Sequence, residues 1–167
     1  MSSVSAVEPL NDSHRTDAFD CGKPELTIWL RRHALNSQRA ETARTYVVHR
    51  DLRVVGYYSL AAGSVEHARA PARAAKGIAR HPIPVILLAR LAVDTAEQGR
   101  GLGAALLKDA LIRVAGAADE IGARALLVHA QDEEARSFYE RFDFDPSPAD
   151  PLHLLLLMKD LRKAIGR

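Results

Sequence analysis

The sequence predicts an α/β sandwich built on a mixed sheet. Segments rich in β-branched and aromatic residues occur together with segments of helical periodicity, and a glycine-rich turn joins a buried strand to a helix. In chain order these segments give a strand, a helix, three strands, the glycine turn, a helix, a strand, a helix and a strand. The 167 residues, 47% hydrophobic and 26% charged, suit one globular domain that spans 1–167.

The first part of the chain predicts an edge strand, a helix and a hairpin. A short apolar start at 4–7 indicates the edge strand. A proline that can open a helix precedes apolar residues at helical spacing, so 24–36 is predicted to be an amphipathic helix with Trp29 in the core. The β-rich runs 46–49 and 54–64 flank a short polar break, which predicts an antiparallel hairpin.

The second part of the chain predicts the elements around the glycine turn. Residues 66–82 are expected to form a loop or a short helix, and the nearly continuous apolar run 84–93 suits a strand covered on both faces. After the turn the pattern predicts a helix, a strand, a helix, a proline-containing loop and a strand, at 104–116, 124–130, 132–142, 145–150 and 153–159. A short basic tail follows.

Composition excludes several classes of protein. No apolar stretch reaches the roughly 20 residues of a membrane helix. The N-terminus lacks the basic flank and apolar core of a secretory signal, so we expect a cytoplasmic protein with no membrane association. One cysteine, Cys21, excludes an internal disulfide and is expected to be a buried apolar residue. The seven histidines are never closer than 14 residues, which removes the usual metal spacings, and we expect no metal.

Charge is distributed unevenly along the chain. Residues 28–90 hold 11 basic and three acidic residues, a net +8, although the whole chain carries only +2. Such a segment is compatible with a polyanionic partner, and also with an ordinary solvated surface. Both interpretations remain open at this point.

The strongest functional signal is the glycine-rich turn Gln98–Gly103. Three glycines in five positions let the backbone turn tightly and approach a ligand closely, and the N–H groups of the following helix can bind an anion. Arg100 can add a charge-assisted contact. The turn lacks the Gly-Lys-Ser/Thr of a Walker loop and does not fit the dinucleotide fingerprint. The alternative is a turn that only connects strand and helix.

Two motifs carry a resemblance to a known superfamily. The residues Leu91-Ala92-Val93 followed by Gln98-x-x-Gly101-x-Gly103 resemble the acetyl-CoA signature of the GNAT superfamily of acyl-CoA N-acyltransferases. The run Ala135-x-x-Phe138-Tyr139-Glu140-x-Phe142-x-Phe144 resembles its later helix and strand start. The resemblance implies a GNAT-like α/β fold, with a mixed, mostly antiparallel sheet flanked by helices on both faces.

A narrower resemblance covers residues 19–160. The motifs Phe19-x-Cys21, Pro24-x-Leu26-x-x-Trp29-Leu30, Gly56–Leu60 and Pro84–Asp94 are similar to those of the acetyltransferase toxins of bacterial toxin–antitoxin modules. This resemblance implies an enzyme that acetylates the free amine of the amino acid on charged tRNA and so blocks translation. It also implies a ribbon–helix–helix antitoxin as partner and a homodimer.

The resemblance assigns the acetyl-CoA site to a strand edge, the glycine turn and the later helix. The strand edge would pair with the pantetheine arm, with the backbone N–H of Val93 facing the thioester oxygen. The expected cofactor-binding residues are Leu91, Ala92, Val93, Gln98, Gly99, Arg100, Gly101, Leu102, Gly103, Ala104, Asp132 and Ser137. In one respect the sequence departs from the family: Asp143 stands where glycine is usual, and Asp tolerates a positive φ better than most residues.

Tyr139 is the candidate general acid. Its phenol, with an ordinary pKa near ~10, stays protonated at neutral pH and can donate a proton to the leaving thiolate. It also belongs to a helical i, i+3, i+4, i+7 apolar stripe, for which core packing is the alternative. The general base stays open, with Glu66, Asp94 or a histidine as candidates.

Several arginines are candidates for contact with the phosphates of aminoacyl-tRNA: Arg31, Arg32, Arg39, Arg44 and Arg90. Two other functions remain open. One is the same acetyl transfer to a protein N-terminus or a small amine. The other is a non-enzymatic module that senses acyl-CoA or acts bound to an antitoxin.

Overall fold

The computed structural model describes residues 2–167 and contains a seven-stranded sheet in the order β1-β2-β3-β4-β5-β7-β6. The strands are β1 (Glu8–Pro9), β2 (Arg44–Arg50), β3 (Arg53–Val65), β4 (Ile83–Val93), β5 (Ala125–His129), β6 (Asp145–Pro146) and β7 (His153–Leu157). Strands β4 and β5 pair in parallel, whereas β1 with β2, β2 with β3, β5 with β7 and β6 with β7 pair antiparallel. The predicted mixed, mostly antiparallel sheet is confirmed.

Six α-helices accompany the sheet in the described part of the chain. They are α1 (Pro24–Arg32), α2 (Ala34–Ala40), α3 (Ala72–Ala75), α4 (Leu102–Glu120), α5 (Glu133–Glu140) and α6 (Met158–Ala164). Short 3-10 turns lie at His67–Arg69 and Thr95–Glu97. Within residues 2–167, none of the helices has the length and apolar character that crossing a membrane requires.

The chain divides into two compact units. The first contains the residues up to Ala61 together with Ala89–Ala110, and the second contains Ala62–Leu88 together with Leu111–Arg167. Strands β3 and β4 and helix α4 each contribute residues to both units. The expectation of one domain over 1–167 stays a prediction.

The hairpin of β2 and β3 in the first unit confirms the prediction, with strands longer than expected. Asp51 and Leu52 connect the strands, and both have positive φ, 48° and 71°. Two consecutive residues with positive φ are the signature of the type I′ turn, whose twist matches that of antiparallel strands. The register places Arg50 opposite Arg53, and a β-bulge follows Val48.

The predicted helix 24–36 is interrupted. Helix α1 ends at Arg32 because His33, with φ −120° and ψ −26°, leaves the helical region, and α2 begins at Ala34. Helix α2 ends where Glu41 adopts a left-handed conformation, φ 61°. The sequence offers neither glycine nor proline to mark the break at His33.

The core of the first unit is built around buried aromatic side chains. Phe19 and Tyr57 are fully buried and pack edge to face, with ring centres 5.6 Å apart. Trp29, predicted to be a core residue, is only partly buried and stacks on Tyr57 with ring centres 6.0 Å apart. Cys21 is buried, as expected, and its Sγ lies 3.3 Å from Oγ1 of Thr27.

The second unit corrects two details of the prediction. The segment 145–150, expected to be a loop, begins with the two-residue strand β6, since Pro146 can occupy a strand that pairs on one side only. The predicted last strand 153–159 ends at Leu157, and the expected basic tail contains helix α6. The apolar run 154–158 hides this boundary because its last residue, Met158, is buried at the start of the helix.

Candidate functional site

The glycine-rich turn follows β4 through a single 3-10 turn and leads directly into α4. Gly99 and Gly101 have φ values of 80° and 83°, which L-residues rarely adopt. Apart from the adjoining residues, a Cβ placed on either glycine would meet no atom of residues 2–167 within 4 Å. These glycines are therefore required by backbone conformation, and the space beside them is open to a ligand.

The first turn of α4 presents unused backbone donors. The carbonyl of Gly101 accepts the N–H of Ala105 at 3.1 Å, which starts the helix. The first N–H groups of a helix have no partner within it, and glycine has no side chain with which to cap them. These N–H groups and the positive end of the helix dipole make this turn suited to bind a phosphate.

Side-chain hydrogen bonds hold the turn against the end of β4. The Gln98 amide nitrogen donates to the carbonyls of Val93 (2.9 Å) and Cys21 (3.0 Å). Asp94 accepts the N–H of Asp20 at 3.2 Å. The Gln98 side chain, one of the predicted cofactor ligands, is thus used to fix the turn itself.

The end of β4 offers a backbone N–H on its free side. The N–H of Asp94 donates to the carbonyl of Val55 on β3 at 2.9 Å. Successive residues of a strand direct their N–H groups to opposite edges, so the N–H of Val93 points away from β3. This is the orientation that the predicted contact between Val93 and the thioester oxygen requires. The register of β4 with β5 runs from Val85 to Leu88, and β4 continues five residues further.

Tyr139 lies on α5 in the second unit and is 5% exposed. Its ring packs edge to face against Phe138 and Phe144, with centroid distances of 5.1 and 5.5 Å. Burial raises the pKa of the Tyr139 phenol and keeps it protonated. The Tyr139 side chain therefore packs as a core residue, as the alternative interpretation expects. Its hydroxyl is also protonated, as a general acid requires.

The hydroxyl of Tyr139 has no hydrogen-bond partner within residues 2–167 and still reaches solvent. Across those residues, Nε2 of His67 is the sole buried side-chain nitrogen or oxygen that lacks a partner. The unpartnered Tyr139 oxygen is therefore not fully enclosed. A hydroxyl donor that has no protein partner and is not fully enclosed is available to a reacting group.

Asp132 and Ser137, which were predicted to bind the cofactor, make backbone hydrogen bonds that shape α5 in the second unit. Asp132 is the N-cap of α5, where its Oδ1 accepts the N–H of Ala135 at 2.9 Å. The carbonyl of Ser137 accepts the N–H of Arg141 at the other end of the helix. Their contact with acetyl-CoA stays a prediction.

The structure divides the candidate tRNA-binding arginines into two groups. Arg39 pairs with Asp12 at 3.6 Å and Arg44 pairs with Glu41 at 3.1 Å. The other three, Arg31, Arg32 and Arg90, form no ion pair with any of residues 2–167. Arg31 and Arg32 are exposed at the end of α1, whereas Arg90 is half-buried over Trp29.

An ion pair that no sequence pattern predicted lies directly before the glycine-rich turn. The guanidinium of Arg50 donates to both carboxylate oxygens of Glu97, at 3.0 and 3.1 Å. Glu97 immediately precedes Gln98, and its side chain is 8% exposed. The two residues are 47 positions apart, so no local pattern connects them.

Histidine spacing did not predict the cluster of Glu8, His14 and His49, because spacing reveals only those histidine sites that lie within one helix or strand. One oxygen of Glu8 lies 2.6 Å from Nε2 of His14 and 2.8 Å from Nε2 of His49. In each ring Nδ1 accepts a backbone N–H, from Asn11 and from Leu52.

This arrangement places the proton of both imidazoles on Nε2, where it is donated to the carboxylate. A metal ion would need a lone pair on that same nitrogen and a proton donated from the other one. The cluster is therefore a hydrogen-bonded network and not the usual metal site, although its ligand atoms lie within 4.8 Å of one another.

Comparison with protein families identifies the class of enzyme that this fold and this turn define. The acetyltransferase (GNAT) domain matches residues 41–146, more than half of the chain, and the chain belongs to this family of acetyltransferases. Among curated proteins it is similar to the tRNA-acetylating toxin of Mycobacterium tuberculosis, with 54% identity over 166 residues and 99% of each chain covered. It is also similar to the probable toxin TacT of Sinorhizobium fredii, with 31% identity covering 96% of this chain and 94% of that protein.

Comparison with solved structures identifies the same class of acetyltransferase. AtaT complexed with acetyl-methionyl-tRNAfMet matches with a TM-score of 0.88 and 30% identity, covering 96% of this chain and 98% of that one. A tyrosine-to-phenylalanine mutant of AtaT, bound to the C-terminus of the antitoxin AtaR and acetyl-CoA, matches with a TM-score of 0.84 and 28% identity, covering 99% of both chains.

Proposed function

We propose that this chain is a toxin that transfers the acetyl group of acetyl-CoA to the α-amine of the amino acid on charged tRNA and thereby blocks translation. The observation that carries the proposal is the 54% identity, over nearly the whole of both chains, with a tRNA-acetylating toxin. The match to AtaT in complex with acetyl-methionyl-tRNAfMet supports the same substrate class.

The chain's own residues supply the parts that this reaction needs. The N–H groups at the start of α4 and Arg100 bind the pyrophosphate, and the N–H of Val93 donates to the thioester oxygen as negative charge develops there. The amine nitrogen attacks the carbonyl carbon, the carbon–sulfur bond breaks, and the Tyr139 hydroxyl gives its proton to the leaving thiolate. The amine loses its extra proton to solvent, and the Tyr139 phenolate regains a proton from solvent.

The absence of a general base on β4 is compatible with an aminoacyl ester as the acetyl acceptor. Strand β4 contains neither a carboxylate nor a histidine. A lysine-like amine, with a pKa near ~10.4, would need strong help to lose its proton. A free α-amine titrates near ~7.7–8.0, and esterification of the carboxyl group lowers that value further, so such an acceptor is largely neutral at working pH.

The exposed arginines on α1 are the preferred candidates for tRNA binding. Arg31 and Arg32 form no ion pair within residues 2–167, whereas Arg39 and Arg44 already neighbour acidic side chains. Reversal of the charge on Arg31 and Arg32 is expected to weaken tRNA binding and reduce its salt dependence. The same reversal at Arg39 and Arg44 is a matched control with a smaller expected effect. Neither change is expected to alter the affinity for acetyl-CoA.

The partners proposed for this chain follow from the same relatives. AtaT has been solved with its antitoxin AtaR and in an AtaT–AtaR complex bound to DNA. We infer a ribbon–helix–helix antitoxin as the partner of this chain, and a homodimer as its active form.

The decisive experiment incubates the protein with labelled acetyl-CoA and bulk charged tRNA. We expect label on aminoacyl-tRNA and none on deacylated tRNA, together with release of coenzyme thiol. Label on peptides or small amines but not on charged tRNA would favour the alternative acceptors. Binding of acetyl-CoA with no thiol release under any of these conditions would indicate a sensor and not an enzyme.

A further inference from the structure

The ion pair between Arg50 and Glu97 has the geometry of a rigid two-point contact. Nε and one terminal nitrogen of Arg50 each donate to a different oxygen of Glu97, at 3.0 and 3.1 Å. The side chains are 17% and 8% exposed. Such paired charge-assisted bonds fix both partners more firmly than a single contact does. Arg50 also holds the pKa of the Glu97 carboxyl below its ordinary value, so the carboxylate stays ionised.

The N-terminal segment encloses Arg50 from another side. A further nitrogen of Arg50 donates to the carbonyl of Ser2. Backbone hydrogen bonds in the next residues tie this segment to β2, including Ser5 N–H to the carbonyl of His49 at 2.8 Å. The orientation of the guanidinium toward Glu97 is therefore fixed by contacts on both sides.

Glu97 also lies close to the cation of the glycine-rich turn. Its Oε1 is 3.5 Å from a terminal nitrogen of Arg100, whose side chain is 66% exposed. Without Arg50, the Glu97 carboxylate would pair more closely with this arginine, although Arg53 also acts on the carboxylate and the exposure of Arg100 screens the pair. The bidentate contact with Arg50 engages that carboxylate and leaves Arg100 with only a long, single contact.

We propose that Arg50 is a positioning residue for acetyl-CoA binding. Because Arg50 pairs with both carboxylate oxygens of Glu97, Arg100 stays available to bind the pyrophosphate. This inference rests on the proposed function of the Gln98–Gly103 turn. Arg50 touches neither the donor nor the acceptor. It acts through Glu97, so its replacement is expected to change the KM for acetyl-CoA and not the rate of the chemical step.

Three variants test the inference: Arg50→Gln, Glu97→Gln and the double variant that carries both changes. In Arg50→Gln the carboxylate of Glu97 captures Arg100, so the KM for acetyl-CoA rises about 10-fold while kcat stays within about twofold. In Glu97→Gln no carboxylate competes for Arg100, so the KM stays near that of the wild type. All three variants are expected to lose some thermal stability, because each disrupts a shielded ion pair.

The double variant separates positioning from a structural role. Removal of the carboxylate in the Arg50→Gln background is expected to bring the KM for acetyl-CoA back toward the wild-type value, although the unfolding midpoint stays low. A KM that follows the unfolding midpoint across the three variants would overturn the inference, as would an unchanged KM in Arg50→Gln. Calorimetric titration of the wild type with acetyl-CoA tests the proposed function itself, and absence of binding there would refute that function.

Discussion

The guanidinium of Arg90 lies over the ring of Trp29, with 4.2 Å from its central carbon to the ring centre. Trp29 in turn stacks on Tyr57 at an interplanar angle of 14°, and the Tyr57 hydroxyl donates to the carbonyl of Leu26 at 2.7 Å. Partial burial lowers the pKa of Arg90, the nearby Glu25 carboxylate opposes that shift, and no carboxylate of residues 2–167 lies close enough to form an ion pair with Arg90. A cation held in this way retains unused donors that fit a phosphate or a carboxylate.

Replacement of Arg90 by methionine is expected to separate stability from function. The unfolding midpoint should change by no more than about 1–3 °C, because the apolar stem is kept and the removal of a partly desolvated charge offsets the lost contact with the Trp29 ring and the lost attraction to Glu25. The KM for charged tRNA should rise about 10-fold, as expected for the loss of one charge-assisted contact. Thermal unfolding and steady-state kinetics measure the two effects.

Arg90→Lys serves as the control for this prediction. Lysine keeps the charge but cannot lie flat on the indole or make a forked contact, so an intermediate KM is expected. A methionine variant with lowered stability and unchanged KM would assign Arg90 to the fold alone.

Replacement of Tyr139 by phenylalanine is expected to lower kcat by roughly 10²–10⁴, the usual contribution of a positioned general acid. The unfolding midpoint should change little, because the ring packing is kept and the lost hydroxyl has no partner among residues 2–167. Tyr57→Phe is the matched comparison. Its hydroxyl is buried and hydrogen-bonded, so its loss should cost about 1–3 kcal/mol of stability. Full turnover in a folded Tyr139→Phe protein would refute the assignment.

Gly56 on β3 allows close contact with helix α4. A Cβ at this position would lie 3.0 Å from Cδ1 of Leu106 and 3.1 Å from Cγ2 of Val48. Gly56→Val is therefore expected to destabilise the protein by about 1–3 kcal/mol in denaturant unfolding, the usual cost of overpacking.

Gly116→Ala is the opposite control for Gly56→Val. Gly116 lies inside α4, and beyond the backbone of its own helix a Cβ there would meet no atom of residues 2–167 within 4 Å. Alanine should therefore raise stability by about 1 kcal/mol through its higher helix propensity. Equal effects of the two substitutions would contradict the packing argument.

The Glu8 network predicts a specific dependence on pH. Hydrogen bonding from His14 is the main cause that lowers the pKa of Glu8, and His49 adds to it. A carboxyl whose pKa is depressed by folding contributes stability above its unfolded pKa, near 4.5, and loses it as the pH falls through the folded value. Glu8→Gln should lower the unfolding midpoint by roughly 1–3 °C at pH 7, because the Glu8 carboxylate is partly exposed.

That difference in unfolding midpoint should shrink as the pH falls below the unfolded value near 4.5, and it should disappear once the pH lies below the lowered pKa of folded Glu8, where the carboxyl is protonated in both states. Thermal unfolding of wild type and variant over pH 3–7 measures it. A difference that grows as the pH falls would contradict the assignment.

Local sequence patterns predicted the structural features that depend on residues close together in the chain. The tight turn at Gly99 and Gly101 follows from glycine spacing, and both residues adopt a positive φ. The family pattern, which places glycine at position 143, predicted a left-handed turn there, and Asp143 adopts it with φ 68°. A short polar residue tolerates this conformation, so the departure from glycine is accommodated.

Features that depend on distant residues could not be predicted in this way. The contact between Arg50 and Glu97 spans 47 positions, and that between Glu8 and His49 spans 41. No glycine or proline marks the break at His33, and Pro146 indicated a loop although a strand at the edge of the sheet accepts it. Such features follow from packing that only the folded chain defines.

The enclosed position of Cys21 simplifies the measurement of turnover. This thiol is the only one in the chain, is 6% exposed and lies against Thr27. Disulfide reagents that colour on reaction with free coenzyme should therefore report the released product with little background from the native enzyme. Site-specific attachment of a dye can likewise use a single cysteine placed at the surface, without first removing the natural one.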